Sequence, residues 1–340
     1  LVMMIMGDAR NPNLVPLGLA APNPANLPAD RLNRILASVS RTHRDQGISY
    51  DFPPGCERLR IQLAQRALQA GCTLAPDQIA ITSGCLEAVM LALRAVCRPG
   101  DTVAIESPIF YNLLQVMEML DLQALEIPSH PEHGLSLSAL RYALEHNRVH
   151  ACLAIPNFNN PLGSCMTDGK KKELVQLLAE HAIPLIENDV YGDLNFSGQR
   201  PTMAKSFDRD GLVIHCSSFS KTLAPGYRVG WVAGGRFQEK IERLKAVSTI
   251  AAATLPQLAL AEFLATGGYD QYLRKIRWVY SRQVALMAET VERTFPSGTR
   301  VSSPTGGFVL WVELPRQCNA IRLYELALKA GITIAPGQSF

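Results

Sequence analysis

Between residues 78 and 235 the sequence alternates seven short, near-continuously apolar runs with stretches whose apolar residues recur at helical spacing. The runs are QIAITSG, DTVAIE, LQALEI, VHACLAI, IPLIEND, GLVIHCSS and VGWVAGG, and the intervening periodicity predicts helices over 85–97, 109–120, 136–147 and 168–181. Strands apolar along their whole length need cover on both faces, which crossover helices on a parallel sheet supply. The pattern therefore predicts an α/β fold with a mostly parallel, seven-stranded sheet. After residue 235 it changes to helices over 237–248, 255–265 and 270–294, then GGFVLWVEL and a last helix–strand pair, which reads as a smaller α+β unit. The expected division is 1–40 as an N-terminal segment joining the small domain, with a helix at 29–40, then 41–248 as the large domain and 249–340 as the small one.

Composition narrows the function classes. A net charge of +3 over 340 residues, with both signs interspersed, gives no nucleic-acid footprint. The one basic run, Lys170 to Lys172, reads as a solvated helix face. Eight cysteines form no CxxC pair and no cluster with histidine at metal-ligand spacing, which indicates reduced thiols in a cytoplasmic protein and no metal site. No run approaches the ~18 apolar residues of a membrane span. The non-Met start, and an end immediately after a strand-like run and a Pro-Gly turn, suggest a piece of a longer chain.

In open parallel sheets ligands bind outside the carboxyl ends of the strands. Those positions hold Ser83-Gly84, Glu106 to Phe110, Asn157 to Gly163, Asp189 to Tyr191 and Ser217 to Arg228. A lysine just after a buried strand, near an arginine, sits where its amine is partly desolvated and nucleophilic, as Lys221 does. Ser218, Ser220, Arg228 and the helix start TSGC (82–85) supply the hydroxyls, amides and guanidinium of a phosphate site. Asp189 offers a carboxylate for a protonated ring nitrogen, Asn160 and Tyr191 offer partners for a phenolate oxygen, and Phe110 offers a stacking face. Singly, each has an ordinary alternative: a surface lysine, a helix cap, a surface turn, an Asn-Pro turn, a core phenylalanine. Together they meet the requirements of pyridoxal 5′-phosphate.

The chain resembles the fold-type I pyridoxal-phosphate aminotransferases over essentially its whole length. The resemblance is carried by YDFPPGCERLR, ITSGCLEAV, PGDTVAIESPIFY, NNPLG, ENDVYGDL, SFSKTLAPGYRVGW, GGFVLWVELP and GITIAPGQSF, in the family's order. It implies that Lys221 forms the Schiff base and that Asp189 pairs with the pyridine nitrogen. Tyr191 and Asn160 then meet the 3′ oxygen, and Phe110 stacks on the ring. Ser83, Gly84, Cys85, Ser218, Ser220 and Arg228 fall at the phosphate positions. Tyr50 matches the tyrosine that reaches the neighbouring subunit's phosphate, which implies a homodimer with shared sites. Within the family the chain is most similar to the aminotransferase-like domain of MocR-type regulators of the GntR superfamily, in which DNA is bound by an N-terminal winged helix absent from this sequence.

The resemblance implies ping-pong transfer of an amino group from an amino acid to a 2-oxo acid. A free-standing aminotransferase and a non-catalytic domain sensing the cofactor or an amino acid are the alternatives. Two positions depart from the pattern: Ala20 stands where the family usually has glycine, and the arginine that grips the substrate carboxylate falls beyond residue 340. Ser220 and Phe110 stand where histidine would have suggested a decarboxylase.

Overall fold

The computed structural model describes residues 1–8 and 11–340; residues 9 and 10, in the leading segment, lie outside the described residues. Its centre is a sheet of eight strands in the order Ala80–Thr82, Gly230–Ala233, Val213–Ser218, Leu185–Asn188, Ala151–Ala154, Thr102–Ser107, Gln123–His130, Gly134–Leu135. Five central strands are parallel, Gly230–Ala233 runs antiparallel to both neighbours, and Gly134–Leu135 folds back as an antiparallel edge. The seven expected strands are all present. The eighth is a two-residue hairpin return, too short to carry a periodic signal.

Alternation along each strand sorts side chains onto two covered faces. Val103, Ile105, Leu153, Ile186 and Ile214 pack under the helices Cys85–Val96 and Tyr111–Met119. Ala104, Cys152, Leu185 and Val213 pack under Leu137–His146 and Asp168–Glu180. Each fully buried aliphatic side chain contributes roughly 1.5–3 kcal/mol, which makes this three-layer sandwich the rigid part of the molecule. Local signals place the helix starts: Ser136 accepts from Ala139 N at 3.3 Å, and Thr167 from Lys170 N at 3.3 Å.

The basic run departs from the expected solvated face. Lys171 is buried, with its ammonium donating to Thr202 O at 2.9 Å and lying 3.7 Å from the Asp168 carboxylate, so protein oxygens replace its water. Lys170 caps the hairpin by donating to His133 O at 2.7 Å.

Outside the sheet, Thr254–Ala265 packs against Ala29–Thr42 and against Glu57–Gln69, a helix the sequence reading had not separated from its motif. Leu32, Leu63, Leu260, Phe263 and Tyr272 share one apolar cluster, so the first half of the long helix Gly268–Thr294 is rooted in the same core. At the other end of the molecule, Val15–Pro16 pairs in parallel with Ile332–Thr333. Gly18 N donates to Thr333 Oγ1 at 3.1 Å, which ties the N-terminal segment to the C-terminal one.

Candidate active site

The carboxyl ends of the parallel strands converge on one edge of the sheet. At one end of that edge lies the start of helix Cys85–Val96, whose first-turn amides have no intrahelical acceptor. Gly84, the residue before it, has φ +97°, a conformation that disfavours any side chain. Gly230 is needed for a different reason: a Cβ there would lie 2.7 Å from Ser217 O and 2.8 Å from Cys85 N. The Arg228 guanidinium reaches into this corner, donating to Ser83 O at 3.0 Å and to Ser220 Oγ at 3.1 Å. Ser218 Oγ accepts from Ser220 N at 3.3 Å. Gly84, Cys85, Ser218, Ser220 and Arg228 thus surround one cationic, hydroxyl-lined corner. Ser83 differs, since its amide is spent on the Glu87 carboxylate. Glu87 is in turn neutralised by Lys245 at 3.2 Å and accepts from Thr249 Oγ1 at 2.6 Å.

Lys221 follows the strand Val213–Ser218, and its Nζ donates to the carbonyl of Ala20. The position at which the sequence departs from its family's glycine therefore meets the lysine through its backbone. Burial, and then the positive charge of Arg228, push the Lys221 amine down to about 8. A lysine at 10.5 is roughly 0.1% neutral at pH 7.4, whereas one at 8 is roughly 20% neutral, so the site supplies a usable nucleophile. Cys85, near both Lys221 and Asp189, is pushed up as a thiol chiefly by burial and is inert.

One strand further along the sheet, Asp189 is buried, with its backbone fixed by donation to Cys216 O at 2.9 Å and by Ser217 Oγ donating to its carbonyl at 2.7 Å. Its carboxylate accepts from Asn157 Nδ2 at 3.1 Å and from Arg200 Nη2 at 2.6 Å. The Tyr191 hydroxyl is buried and has no hydrogen-bond partner among the described residues. Burial pushes its phenol up, while Asn160 beside it pulls the other way. Asn160 is itself buried in the loop after Ala151–Ala154. Phe110 flanks the edge from the start of helix Tyr111–Met119, its ring 4.8 Å from that of Tyr111. Tyr111 also meets Phe340 at 5.3 Å, and Tyr191 meets Phe308 at 5.5 Å, so segments 306–309 and 331–340 wall this end of the site.

Lys221, Asp189, Tyr191, Asn160, Phe110 and the phosphate-type corner therefore share one sheet edge. Tyr50 stands apart: it is exposed, its ring lies tilted beside that of Phe52 at 5.6 Å, and it makes no hydrogen bond to these residues. The sequence reading missed Arg200, because it follows no strand end and the bend at Gly198 before it reads as an ordinary surface turn. It had placed Asn157 at a strand end without giving it a task.

A family model described as aminotransferase class I and II matches residues 30–340. The uncharacterized HTH-type transcriptional regulator YdcR of Escherichia coli K12 is 42% identical over 332 residues, covering 98% of this chain and 71% of the regulator. Aromatic-amino-acid aminotransferase 1 of Thermococcus litoralis is 28% identical over 335 residues, covering 96% of this chain and 80% of the enzyme. Among solved structures, Pyrococcus horikoshii kynurenine aminotransferase, in complex with PMP, superposes with a TM-score of 0.92 at 28% identity, over 99% of this chain and 85% of the other.

Proposed function

Because the chain belongs to the aminotransferase class I and II family, we propose that it binds pyridoxal 5′-phosphate and transfers an amino group between an amino acid and a 2-oxo acid. The observation that carries the cofactor assignment is the convergence of the buried Tyr191 hydroxyl and Asn160 with Lys221 and Asp189 on one sheet edge, the hydroxyl making no hydrogen bond within normal distance among the described residues. A buried hydroxyl left unsatisfied costs about 1–3 kcal/mol, and a phenolate-type oxygen on a bound ring would remove that cost. The rest of the edge fits the same group. Gly84, Cys85, Ser218, Ser220 and Arg228 would hold its phosphate, Asp189 its ring nitrogen, Phe110 its face and Lys221 its aldehyde.

When bound, pyridoxal phosphate supplies an electron-withdrawing ring that stabilises negative charge next to the substrate nitrogen. The protein does the proton work. Lys221 Nζ is the base that takes the proton from the α-carbon of the amino acid, a role its lowered pKa suits at neutral pH. Asp189 keeps a proton on the ring nitrogen, and Tyr191 and Asn160 orient the ring by its oxygen. Segments 306–309 and 331–340 exclude water from that end.

The 42% identity to a transcriptional regulator, against 28% to the free-standing enzyme, supports the reading that this is the effector domain of a MocR-type regulator. DNA would then be contacted only through a winged helix outside residues 1–340. Tyr50 supports a homodimer with shared sites, since Ile48, Tyr50 and Phe52, 88%, 70% and 62% exposed, form a run of bare apolar side chains of the kind that marks interaction surfaces. Sedimentation equilibrium checks this; a monomer at micromolar concentration would refute it. A cytoplasmic location is consistent with eight free cysteines and with the absence, among the described residues, of any helix long and apolar enough to cross a membrane.

Absorbance spectroscopy with added pyridoxal phosphate, followed by a panel of amino acids, tests the function. A lysine-bound cofactor band that Lys221→Ala abolishes, and that some amino acid converts to the pyridoxamine form, is the expected result. A band that persists in Lys221→Ala refutes the site assignment. A band that amino acids perturb without conversion would make the domain a sensor.

A further inference from the structure

The Asp189 carboxylate is held from behind by a guanidinium that no motif announces. Arg200 Nη2 donates to Asp189 Oδ2 at 2.6 Å, while Arg200 Nε donates to Asp193 Oδ1 at 2.7 Å and Nη1 to Pro201 O at 3.0 Å. The fork is therefore fixed by three partners. Asp193 is anchored in turn: Arg66 lies 3.2 Å away, Tyr269 donates its hydroxyl at 2.9 Å, and Arg277 Nε donates to the Asp193 carbonyl at 2.7 Å. Although burial pushes the Asp193 carboxyl up, Arg66 and Arg200 outweigh it and hold it well below the usual carboxylate range.

Other charged groups face Asp189 without bonding it. Glu187 and His215, cross-strand neighbours paired at 3.3 Å, lie beneath it on the same face of the sheet, with ligand-type atoms of all three within 4.8 Å of one another. The neutral thiols of Cys85 and Cys165 lie near it on the helix and loop sides. Among the described residues, Arg200 is the one charged side chain in hydrogen-bond contact with the carboxylate. Hydrogen bonds donated to a carboxylate favour its charged form. A proton shared between such a carboxylate and a ring nitrogen is accordingly displaced toward the nitrogen.

We propose that Arg200 is a positioning residue that acts through Asp189: its fork, seconded by Asn157, holds the carboxylate in place from behind by donated hydrogen bonds, so that the shared proton resides on the cofactor's ring nitrogen. This rests on reading the site as a pyridoxal-phosphate site. Gly192 belongs to the same device, since a Cβ there would lie 2.5 Å from Asp189 Oδ1 and 2.8 Å from Arg200 Nη2 and would wedge the pair apart.

Nitrogen NMR of the full chain reconstituted with pyridoxal phosphate labelled with ¹⁵N in the ring reads the proton directly. The wild-type signal is expected at the pyridinium position, moved toward the neutral position in Arg200→Gln and largely restored in Arg200→Lys. An unchanged signal in Arg200→Gln overturns the proposal, as does a neutral wild-type ring or a lysine variant no different from the glutamine one. Should Arg200→Gln fail to fold, Gly192→Ala decides: it leaves every charge in place, and a pyridinium signal identical to wild type would overturn the role assigned to the pair. Failure of the wild-type chain to take up cofactor would instead strike the parent reading.

Discussion

Replacing Lys221 with methionine should stabilise the cofactor-free protein at neutral pH, a direction opposite to that of most core-facing substitutions. The lysine amine falls from 10.5 to about 8 on folding, through burial and then Arg228. At roughly 1.4 kcal/mol per tenfold, that drop corresponds to about 3 kcal/mol of unfavourable charge in the folded state. Methionine matches the four-atom apolar stem of the side chain, loses the bond to the Ala20 carbonyl, worth about 1 kcal/mol, and removes the penalty. The expected net gain is about 2 kcal/mol at pH 7. The folded pKa lies below the unfolded one, so the penalty is fully present below pH 8 and disappears as pH rises from about 8 through 10.5. Urea denaturation of the cofactor-free wild type and Lys221→Met at pH 7 and pH 10.5 measures both points. The reasoning is refuted if the variant is no more stable at pH 7, or if the difference between the two proteins does not shrink with rising pH.

Two other substitutions test buried groups of the same edge. Tyr191→Phe removes a buried hydroxyl without a protein partner; urea denaturation should show cofactor-free stability unchanged or raised by about 1 kcal/mol, while absorbance titration shows cofactor bound about tenfold more weakly. A loss of cofactor-free stability would mean the hydroxyl already has a partner. Glu106 is pushed up to about 7 by burial, against the opposing bonds from Ile155 N and Asn159 Nδ2, and its Oε1 has no partner. With the folded pKa above the unfolded one, stability is present below about pH 4.5 and lost as pH rises through 7. Glu106→Gln should therefore gain about 2–3 kcal/mol in urea denaturation at pH 8 and nothing at pH 4.5; an equal gain at both would contradict the assignment of charge.

The sheet and the strand-end residues were legible because both are written locally. Strands such as VHACLAI are apolar at every position since each face meets a helix, and the residue after such a strand has no other place than the carboxyl edge. That rule puts Lys221, Asp189 and Asn160 on the edge, while their tasks come from their convergence and from the family resemblance. Lys171 and Arg200 were illegible for one shared reason. Each looks like a surface cation in sequence, and each is buried by partners, Thr202 O for one and Asp189 with Asp193 for the other, that only the tertiary fold brings near. Gly134–Leu135 was hidden by its length of two residues, and only the direction of Gly230–Ala233 was hidden, since orientation in a sheet leaves no trace in a short apolar run.

The order of the strands also explains why one ligand can engage all these groups. The cationic corner sits where Ala80–Thr82 and Val213–Ser218 flank Gly230–Ala233, Asp189 ends the next strand, and Asn160 follows the one after that. Strands are spaced roughly 4.8 Å apart, which puts the centre of the corner about 10 Å from Asp189 and Asn160 about one spacing further. A ligand matching that edge carries an anion at one end and a ring at the other, with a ring nitrogen toward Asp189 and a ring oxygen toward Asn160 and Tyr191. The charges on the protein are arranged to the same plan. Among the described residues Arg228 has no carboxylate partner at one end, whereas Asp189 is compensated from behind by Arg200 at the other. Such a carboxylate can meet a cationic ring nitrogen without depending on it for burial.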